Sequence, residues 1–333
     1  MGPVNGQSVA APPASRQRQP GKKQQAGGAR ASTSGEAHQK RGAMTLSTRR
    51  IRRNPELKQW RDIAMDTLSI LNRKVFDLHG QTIDLTSAID CCIRNTVCYG
   101  PGKEVSLQPA GYACAATRIE VTQETSLEAC SRICRQEQQK KKSAPGIACL
   151  NFASAVSPGG MFLDGTNTQE DCLARSSALY ASLTSENGSP MYQYNRAHQN
   201  RDRGLHSDAM IYSPDVPVFR DDDGNLRAPY RVSFITAPAV DRTLCAGVAE
   251  QAIQDAMQQR ARKVLVVAAN HGVRHLILGA WGCGIFGHSG ADVAKLFSEL
   301  LAEDGINNRF VSVTFPVTDP ILWQAFASCL TTS

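Results

Sequence analysis

Two adjacent carboxylic acids, Glu170 and Asp171, stand near the middle of the chain behind a glycine-rich stretch. A carboxylic acid beside a glycosidic bond can protonate the leaving oxygen, stabilise an oxocarbenium-like state and then activate water. The spacing of Thr168 and Asp171 also fits a capping box, in which the acid stabilises the start of a helix. The spacing alone leaves both roles open.

The first glycine-rich loop, with Pro158, Gly159 and Gly160, follows an apolar strand predicted over 147–152 and leads towards a predicted helix. Adjacent glycines allow backbone N–H groups to approach an anion closely and to form a concave binding surface. An ordinary tight turn would use the same residues, because Pro-Gly often marks a turn. Phosphate binding is therefore one of two interpretations of this loop.

The second loop, 279–288, follows a strand predicted over 275–278, and Gly282, Gly284 and Gly287 match the dinucleotide-binding fingerprint. Close packing of a helix against a strand would also need such glycines. A helix predicted after the loop would direct its positive dipole end towards a bound phosphate. Because both loops follow strands, and open α/β sheets bind ligands at the strand C-termini, we expect a nucleotide diphosphate between them.

The elements that would position these loops alternate between strand and helix patterns. Helices are predicted over 55–73, 84–95, 168–183, 246–269 and 292–301, and Ser126 ahead of Leu127 marks the start of another. Strands are predicted over 118–122, 147–152, 209–212, 230–235, 275–278 and 310–315. This order predicts an α/β sandwich with a mostly parallel or mixed central sheet. We divide the chain into a disordered basic tail (1–50), an N-terminal helical extension (51–115) and a catalytic domain (116–330).

The basic charge is concentrated in the tail. The chain has 333 residues, a net charge of +7 and 41% apolar residues, enough for a real core. Residues 1–53 carry 11 Lys and Arg but one acid, so the rest of the chain is net acidic. This split disfavours a nucleic-acid-binding core and leaves at most weak polyanion contact through the tail. No apolar run is long enough to span a membrane, and a transit peptide is the less favoured reading of the tail.

The cysteine pattern indicates an intracellular protein. The 11 cysteines are odd in number and include no Cys-x-x-Cys pair, which argues against a disulfide framework and a zinc site. Cysteine used as a small apolar residue is typical of a reducing compartment, so we expect a cytoplasmic or nuclear location. We expect no metal and no cofactor.

Two other classes of enzyme are disfavoured by the sequence. A nicotinamide-dependent oxidoreductase would use Gly282, Gly284 and Gly287, with Asp319 as a ribose ligand, but the motif lies near the C-terminus without a following substrate domain. A serine or cysteine nucleophile is disfavoured because no Gly-x-Ser-x-Gly elbow occurs.

Several motifs in order resemble the bacterial-type (microbial) poly(ADP-ribose) glycohydrolases, a macrodomain family. The residues that carry the resemblance are Leu150–Ala155, Pro158-Gly159-Gly160, Gln169-Glu170-Asp171, Arg175–Tyr180, Ile211–Arg220, Phe234–Pro238 and Gly279–Gly287. The resemblance covers about 55–325 and leaves out only the tail.

The resemblance implies a three-layer α/β/α macrodomain with a mixed central sheet and an N-terminal helical extension. It also implies ADP-ribose as the ligand and no metal requirement. It implies that Gly159, Gly160 and the following Met161 form the diphosphate loop. Gln169 would lie near this loop, and Ser154 would contact the distal ribose. Gly282, Cys283, Gly284, Ile285 and Phe286 would form the second phosphate loop, with Phe286 near the terminal ribose. Gln169-Glu170-Asp171 falls on the family's Gln-Glu-Glu signature, whose second acid is the catalytic one. We therefore predict that Asp171, assisted or replaced by Glu170, acts as the general acid and then as the base.

Two positions depart from the family pattern. Met161 replaces the third loop glycine, and Asp171 replaces the catalytic glutamate. An aspartate is one methylene shorter, and a misplacement of ~1 Å can cost about 100-fold in rate. Asp171 could act from a shifted backbone, Glu170 could replace it, or the site could serve another linkage.

We therefore expect a monomeric hydrolase of ADP-ribosyl glycosidic bonds, acting on poly(ADP-ribose) or on single ADP-ribose groups of proteins, including arginine-linked ones. The alternative is a macrodomain that binds ADP-ribose without cleaving it.

Overall fold

The computed structural model describes residues 55–109, 114, 116–140 and 146–330. These residues belong to one unit, Arg49–Ser333. The basic tail predicted over 1–50 lies outside the described residues.

The described elements follow the alternation that the sequence predicts. The helices are α1 (Pro55–Arg73), α2 (Thr86–Asn95), α3 (Ser126–Gln139), α4 (Gln169–Ser176), α5 (Leu179–Leu183), α6 (Ser189–His198), α7 (Glu250–Asn270), α8 (Gly290–Ala302) and α9 (Pro320–Leu330). The strands are β1 (Val75–Leu78), β2 (Gln81–Asp84), β3 (Val97–Tyr99), β4 (Arg118–Thr122), β5 (Ile147–Phe152), β6 (Met210–Arg220), β7 (Leu226–Ala237), β8 (His275–Ile277) and β9 (Ser312–Pro316).

Seven strands form the central sheet in the order β3-β6-β7-β5-β8-β9-β4, and β1 and β2 form a separate hairpin. Strand β5 is parallel to both of its neighbours, β7 and β8. Strands β3, β6 and β7 pair in antiparallel fashion. The sheet is therefore mixed, which confirms the predicted fold class.

The sheet separates two hydrophobic clusters, because successive strand residues point to opposite faces. Along β5, Ala148 and Leu150 belong to one cluster, whereas Ile147 and Cys149 belong to the other. The first cluster also contains residues of α7, α8 and α9, and the second contains residues of α3, α4 and α5. The predicted three-layer arrangement is confirmed.

One helix is shorter than predicted. The helix pattern over 168–183 is broken at Ser177, which is extended (φ −146°, ψ 176°). Ser177 forms an isolated bridge with Val218 of β6, and the Ala178 N–H donates to the Pro217 carbonyl. A long-range contact with the sheet therefore overrides the local helical pattern, giving α4 and α5.

The segment predicted as an N-terminal helical extension contributes to the sheet as well. Strand β3 lies within 51–115, and its Val97 and Tyr99 pair with Tyr212 and Met210 of β6. The same segment contains α1, α2 and the β1–β2 hairpin. The domain boundary at residue 115 stays a prediction.

Three other features bear on the sequence analysis. No described helix is long and apolar enough to cross a membrane. Within the described ranges, no group of three or more His, Cys, Asp or Glu side chains could hold a metal ion. All eleven cysteines are free thiols.

Candidate active site

Both loops lie at the same edge of the sheet. The first loop leaves β5 and the second follows β8, and these strands are parallel neighbours in the sheet. A Cβ added to Gly279, at the start of the second loop, would lie 2.9 Å from Cζ of Phe152 at the end of β5. The predicted placement of the two loops at the carboxyl ends of neighbouring strands is confirmed.

The first loop passes directly over the two acids. Gly160 has a φ of +67°, and a Cβ there would lie 2.7 Å from Oδ1 of Asp171 and 3.3 Å from Oε2 of Glu170. Both side chains are buried, at 3% exposure for Glu170 and 2% for Asp171. Glycine at position 160 therefore allows the backbone to lie against the carboxylates.

Asp171 forms a complete helix cap. Its Oδ2 accepts hydrogen bonds from the N–H and the hydroxyl of Thr168, both at 2.8 Å. Its Oδ1 accepts from the N–H of Met161 at 2.8 Å. Thr168 and Asp171 also form the capping box that the spacing predicts. Three donors therefore fix Asp171 between the first loop and the start of α4.

Glu170 is held differently. Its Oε2 accepts from the N–H of Ser154 at 2.6 Å, and its Oε1 accepts from the side-chain amide of Asn151 at 3.3 Å. Burial, with a smaller contribution from the neighbouring Asp171 carboxylate, raises the pKa of Glu170 to about 8 against the lowering effect of the hydrogen bonds. A carboxyl group with this pKa holds a proton at neutral pH.

The N–H groups of the first loop point inward. Ser154 and Met161 donate to the acids, and the Ser154 hydroxyl accepts from the N–H groups of Val156 and Ser157. The N–H of Gly160 donates to the Ser157 carbonyl. The sequence suggests that this loop offers its N–H groups to a diphosphate. In the structure these five groups already bond to protein acceptors.

Met161 fits the first loop without backbone strain, and Gln169 connects α4 to β5. Met161 has a φ of −121°, which any residue adopts, so the missing third glycine costs no backbone strain. Its side chain is 57% exposed. The Gln169 amide accepts from the N–H of Phe152 at 2.9 Å and donates to the carbonyl of Leu150 at 2.8 Å, which ties α4 to β5.

Three consecutive N–H groups of the second loop donate to no other described backbone group. Within the part of the chain that the structure describes, the N–H groups of Gly284, Ile285 and Phe286 donate no hydrogen bond to another backbone group. Ile285 is 78% exposed. The loop is anchored from below by the buried Trp281, whose ring N–H donates to the Ala237 carbonyl at 3.0 Å. Three consecutive N–H donors ahead of the N-terminus of α8 are the kind of arrangement that can accept an anion.

The sequence also proposes roles for Gly282 and Cys283 in the second loop and for Asp319 after β9. Gly282 has a φ of +79°, and a Cβ there would lie 2.9 Å from the His288 ring and 3.0 Å from Ala239. Burial raises the pKa of the half-buried Cys283 thiol to about 12, which makes it a poor nucleophile. Asp319 caps α9 by accepting from the N–H groups of Ile321 and Leu322, both at 2.9 Å.

A cavity of 370 Å³ opens beside the acid pair. The residues that line it include Leu127, Phe152, Gln169, Asp222 and Asp319. These residues are not predicted from the sequence to line a cavity, and Asn151 is not predicted to donate to Glu170. The only sequence signal for Asn151 is a polar residue at the end of an otherwise apolar strand.

Comparisons with known proteins identify the family of the chain. The family described as microbial-type PARG, catalytic domain, matches residues 64–221. Among solved structures, poly(ADP-ribose) glycohydrolase from Thermomonospora curvata is 40% identical with a TM-score of 0.71, covering 81% of this chain and 98% of that chain. The same protein bound to the inhibitor ADP-HPD matches at 39% identity, a TM-score of 0.69 and the same coverage. No curated protein matches the chain.

A second solved relative is poly(ADP-ribose) glycohydrolase from Deinococcus radiodurans in complex with ADP-ribose. It is 37% identical with a TM-score of 0.62, covering 77% of this chain and 99% of that chain. The fold is therefore that of a macrodomain-type glycohydrolase. The chain belongs to the microbial-type poly(ADP-ribose) glycohydrolase family. Membership of this family decides against the oxidoreductase alternative for the second loop.

Proposed function

We propose that the protein hydrolyses the glycosidic bonds of poly(ADP-ribose) and releases ADP-ribose, with Glu170 as the acid that carries the proton. The buried carboxyl of Glu170, with its pKa of about 8 beneath a glycine loop, is the observation that carries this conclusion. At pH 7 such a group is protonated in about nine of ten molecules. It is therefore poised to donate a proton to a leaving oxygen.

The reaction consumes one water molecule and leaves the enzyme unchanged. The Glu170 carboxyl donates its proton to the oxygen that joins the distal ribose to the next unit, and the bond from the anomeric carbon to that oxygen breaks. The Glu170 carboxylate then takes a proton from water while the water oxygen bonds to the anomeric carbon. The products are ADP-ribose and a chain shorter by one unit.

The second loop supports diphosphate binding. The N–H groups of Gly284, Ile285 and Phe286 precede the N-terminus of α8, where the helix dipole favours negative charge. The distal ribose then lies over Gly160, above the acids. The 370 Å³ cavity lined by Phe152 and Leu127 accepts the adenosine end.

Asp171 has a positioning role in this proposal. Its three hydrogen bonds from Thr168 and Met161 hold the first loop against α4. The family signature has a catalytic glutamate at this position, whereas the shorter Asp171 here is occupied as a cap. Its carboxylate also raises the pKa of Glu170. Loss of Asp171 then disturbs catalysis through Glu170 and the loop.

The test is release of ADP-ribose from poly(ADP-ribose) and from Arg-, Ser- and Glu-linked single modifications. Glu170→Gln keeps the shape of the side chain but cannot donate a carboxyl proton, so we expect kcat to fall at least about 100-fold. Asp171→Asn should reduce kcat less, and Asp171→Glu tests whether the family residue raises it. The exposed Glu186→Gln is the matched control and should leave activity unchanged. Full activity of Glu170→Gln would contradict the assignment.

A binding module without catalysis is the second candidate. The complete cap around Asp171 favours it, because the residue at the family's catalytic position is engaged with three protein donors. Such a protein would bind ADP-ribose but release none from any substrate in the same assay. Turnover that disappears in Glu170→Gln would exclude it.

A further inference from the structure

A buried arginine connects the catalytic helix to the N-terminal helix α1. Arg175, at 1% exposure, lies in α4 one turn after Asp171. Its guanidinium carbon lies 4.3 Å from the centre of the Trp60 ring of α1. Among the described residues, no carboxylate pairs with Arg175 within 4 Å. A buried guanidinium without such a partner is costly unless other groups satisfy it.

The donors of Arg175 are directed at the segment that precedes the acids. Nη1 donates to the Thr166 carbonyl at 3.0 Å, and Nη2 donates to Oδ1 of Asn167. The next residue is Thr168, whose N–H and hydroxyl hold Asp171. Arg175 therefore fixes the backbone from which two of the three Asp171 donors project.

Helix α1 makes two further contacts, one with α4 and one with the loop before α4. The Thr67 hydroxyl donates to the Arg175 carbonyl at 2.6 Å, deep in the protein. Gly165 has a φ of +85°, and a Cβ there would lie 1.9 Å from the carbonyl oxygen of Leu57. The first turns of α1 therefore lie directly against the loop before α4. No residue larger than glycine fits at position 165.

We infer that Trp60 and Arg175 form a positioning pair that holds the 165–168 segment, and with it the acid pair, in its reactive arrangement. The inference rests on the proposed function, since it concerns the geometry of that same site. Arg175 supplies a cation and two directed donors, and the Trp60 ring covers the guanidinium and excludes water. The N-terminal helix thereby belongs to the catalytic apparatus without contacting substrate.

The Trp60 ring contributes through its face and not through its N–H. Trp60 Nε1 is buried and has no hydrogen-bond partner among the described residues. Phenylalanine retains an aromatic face and loses no hydrogen bond, so Trp60→Phe is the conservative variant. Trp60→Ala removes the face. Met65, on the same helix and 52% exposed, provides the control Met65→Ala.

The experiment measures kcat and KM on poly(ADP-ribose) together with amide hydrogen exchange. We expect Trp60→Ala to lower kcat at least about 10-fold, because a displacement of ~1 Å can cost about 100-fold. We expect KM to change less than about twofold, since the second loop is untouched. The amides of Met161 and Thr168, which donate to Asp171, should lose protection relative to the amides of β5. Trp60→Phe should retain most of the activity.

Each outcome separates the two proposals. If the wild-type protein releases no ADP-ribose, the proposed function fails, whereas the exchange measurement still tests the positioning pair. If the wild-type protein is active and Trp60→Ala matches Met65→Ala in kcat and in protection of Met161 and Thr168, the inference is wrong. Should Trp60→Ala fail to fold, Arg175→Lys replaces it, because lysine keeps the charge but cannot place two planar donors on Thr166 and Asn167.

Discussion

Replacement of Glu170 by glutamine should make the folded protein more stable at high pH. Burial raises the pKa of Glu170 to about 8, from an ordinary value of 4.5. The folded protein therefore holds a proton that the unfolded chain releases, and stability that Glu170 contributes at low pH is lost as the pH rises through about 8. Glutamine is neutral at every pH and avoids this loss.

The size of the effect follows from the two pKa values. Between pH 5 and pH 9 the linkage amounts to a loss on the order of 4 kcal/mol in the wild-type protein. Glu170→Gln also changes the hydrogen bonds with Ser154 and Asn151, but the pH dependence of the wild-type bonds is already contained in the pKa of Glu170. The difference in unfolding free energy between variant and wild type should therefore grow by about 4 kcal/mol over this interval.

Urea denaturation of both proteins at pH 5, 7 and 9 measures this difference. The exposed Glu186→Gln is the matched control, and its difference from wild type should stay constant with pH. A flat difference for Glu170→Gln, within about 0.5 kcal/mol from pH 5 to pH 9, would show that the folded protein does not hold the extra proton. Glu170 could then not be the general acid.

Two further predictions concern the same site. The kcat of the wild-type protein should fall above pH 8, at about tenfold per pH unit, as Glu170 loses its proton; a profile that stays level to pH 10 would argue against this acid. Gly160→Ala should cost about 1–3 kcal/mol in stability and most of the activity, because φ is +67° and the new Cβ would meet Asp171. Gly284→Ala is the control: a Cβ there would have nothing within 4 Å, so its stability should change by less than about 0.5 kcal/mol. Equal losses of stability for the two variants in urea denaturation would refute the steric reasoning.

The sequence alone predicts the sheet edge and the two loops well. Strand β5 is apolar except for Asn151, which is typical of a strand buried on both faces, and its bounds match the structure. The pairing of Thr168 with Asp171 in a capping box also follows from local spacing and is confirmed. These features are local in sequence, so periodicity and spacing are sufficient to identify them.

The features that the sequence does not predict depend on distant contacts. The break at Ser177 arises from its bridge to Val218 of β6, and no local pattern marks it. The contact of Trp60 with Arg175 joins two elements that are far apart in the chain. The inward direction of the Ser154 and Met161 N–H groups depends on loop torsions that residue types do not specify.

The pairing of β5 with β8 has a consequence for engineering of the site. Neighbouring strands lie about 4.8 Å apart, so the distance between the two loop bases is set by main-chain hydrogen bonds. Exchange of the exposed Met161 or Ile285 leaves that distance as it is. Libraries that vary these two side chains can therefore search for new linkage preferences while the spacing of the two loops is retained.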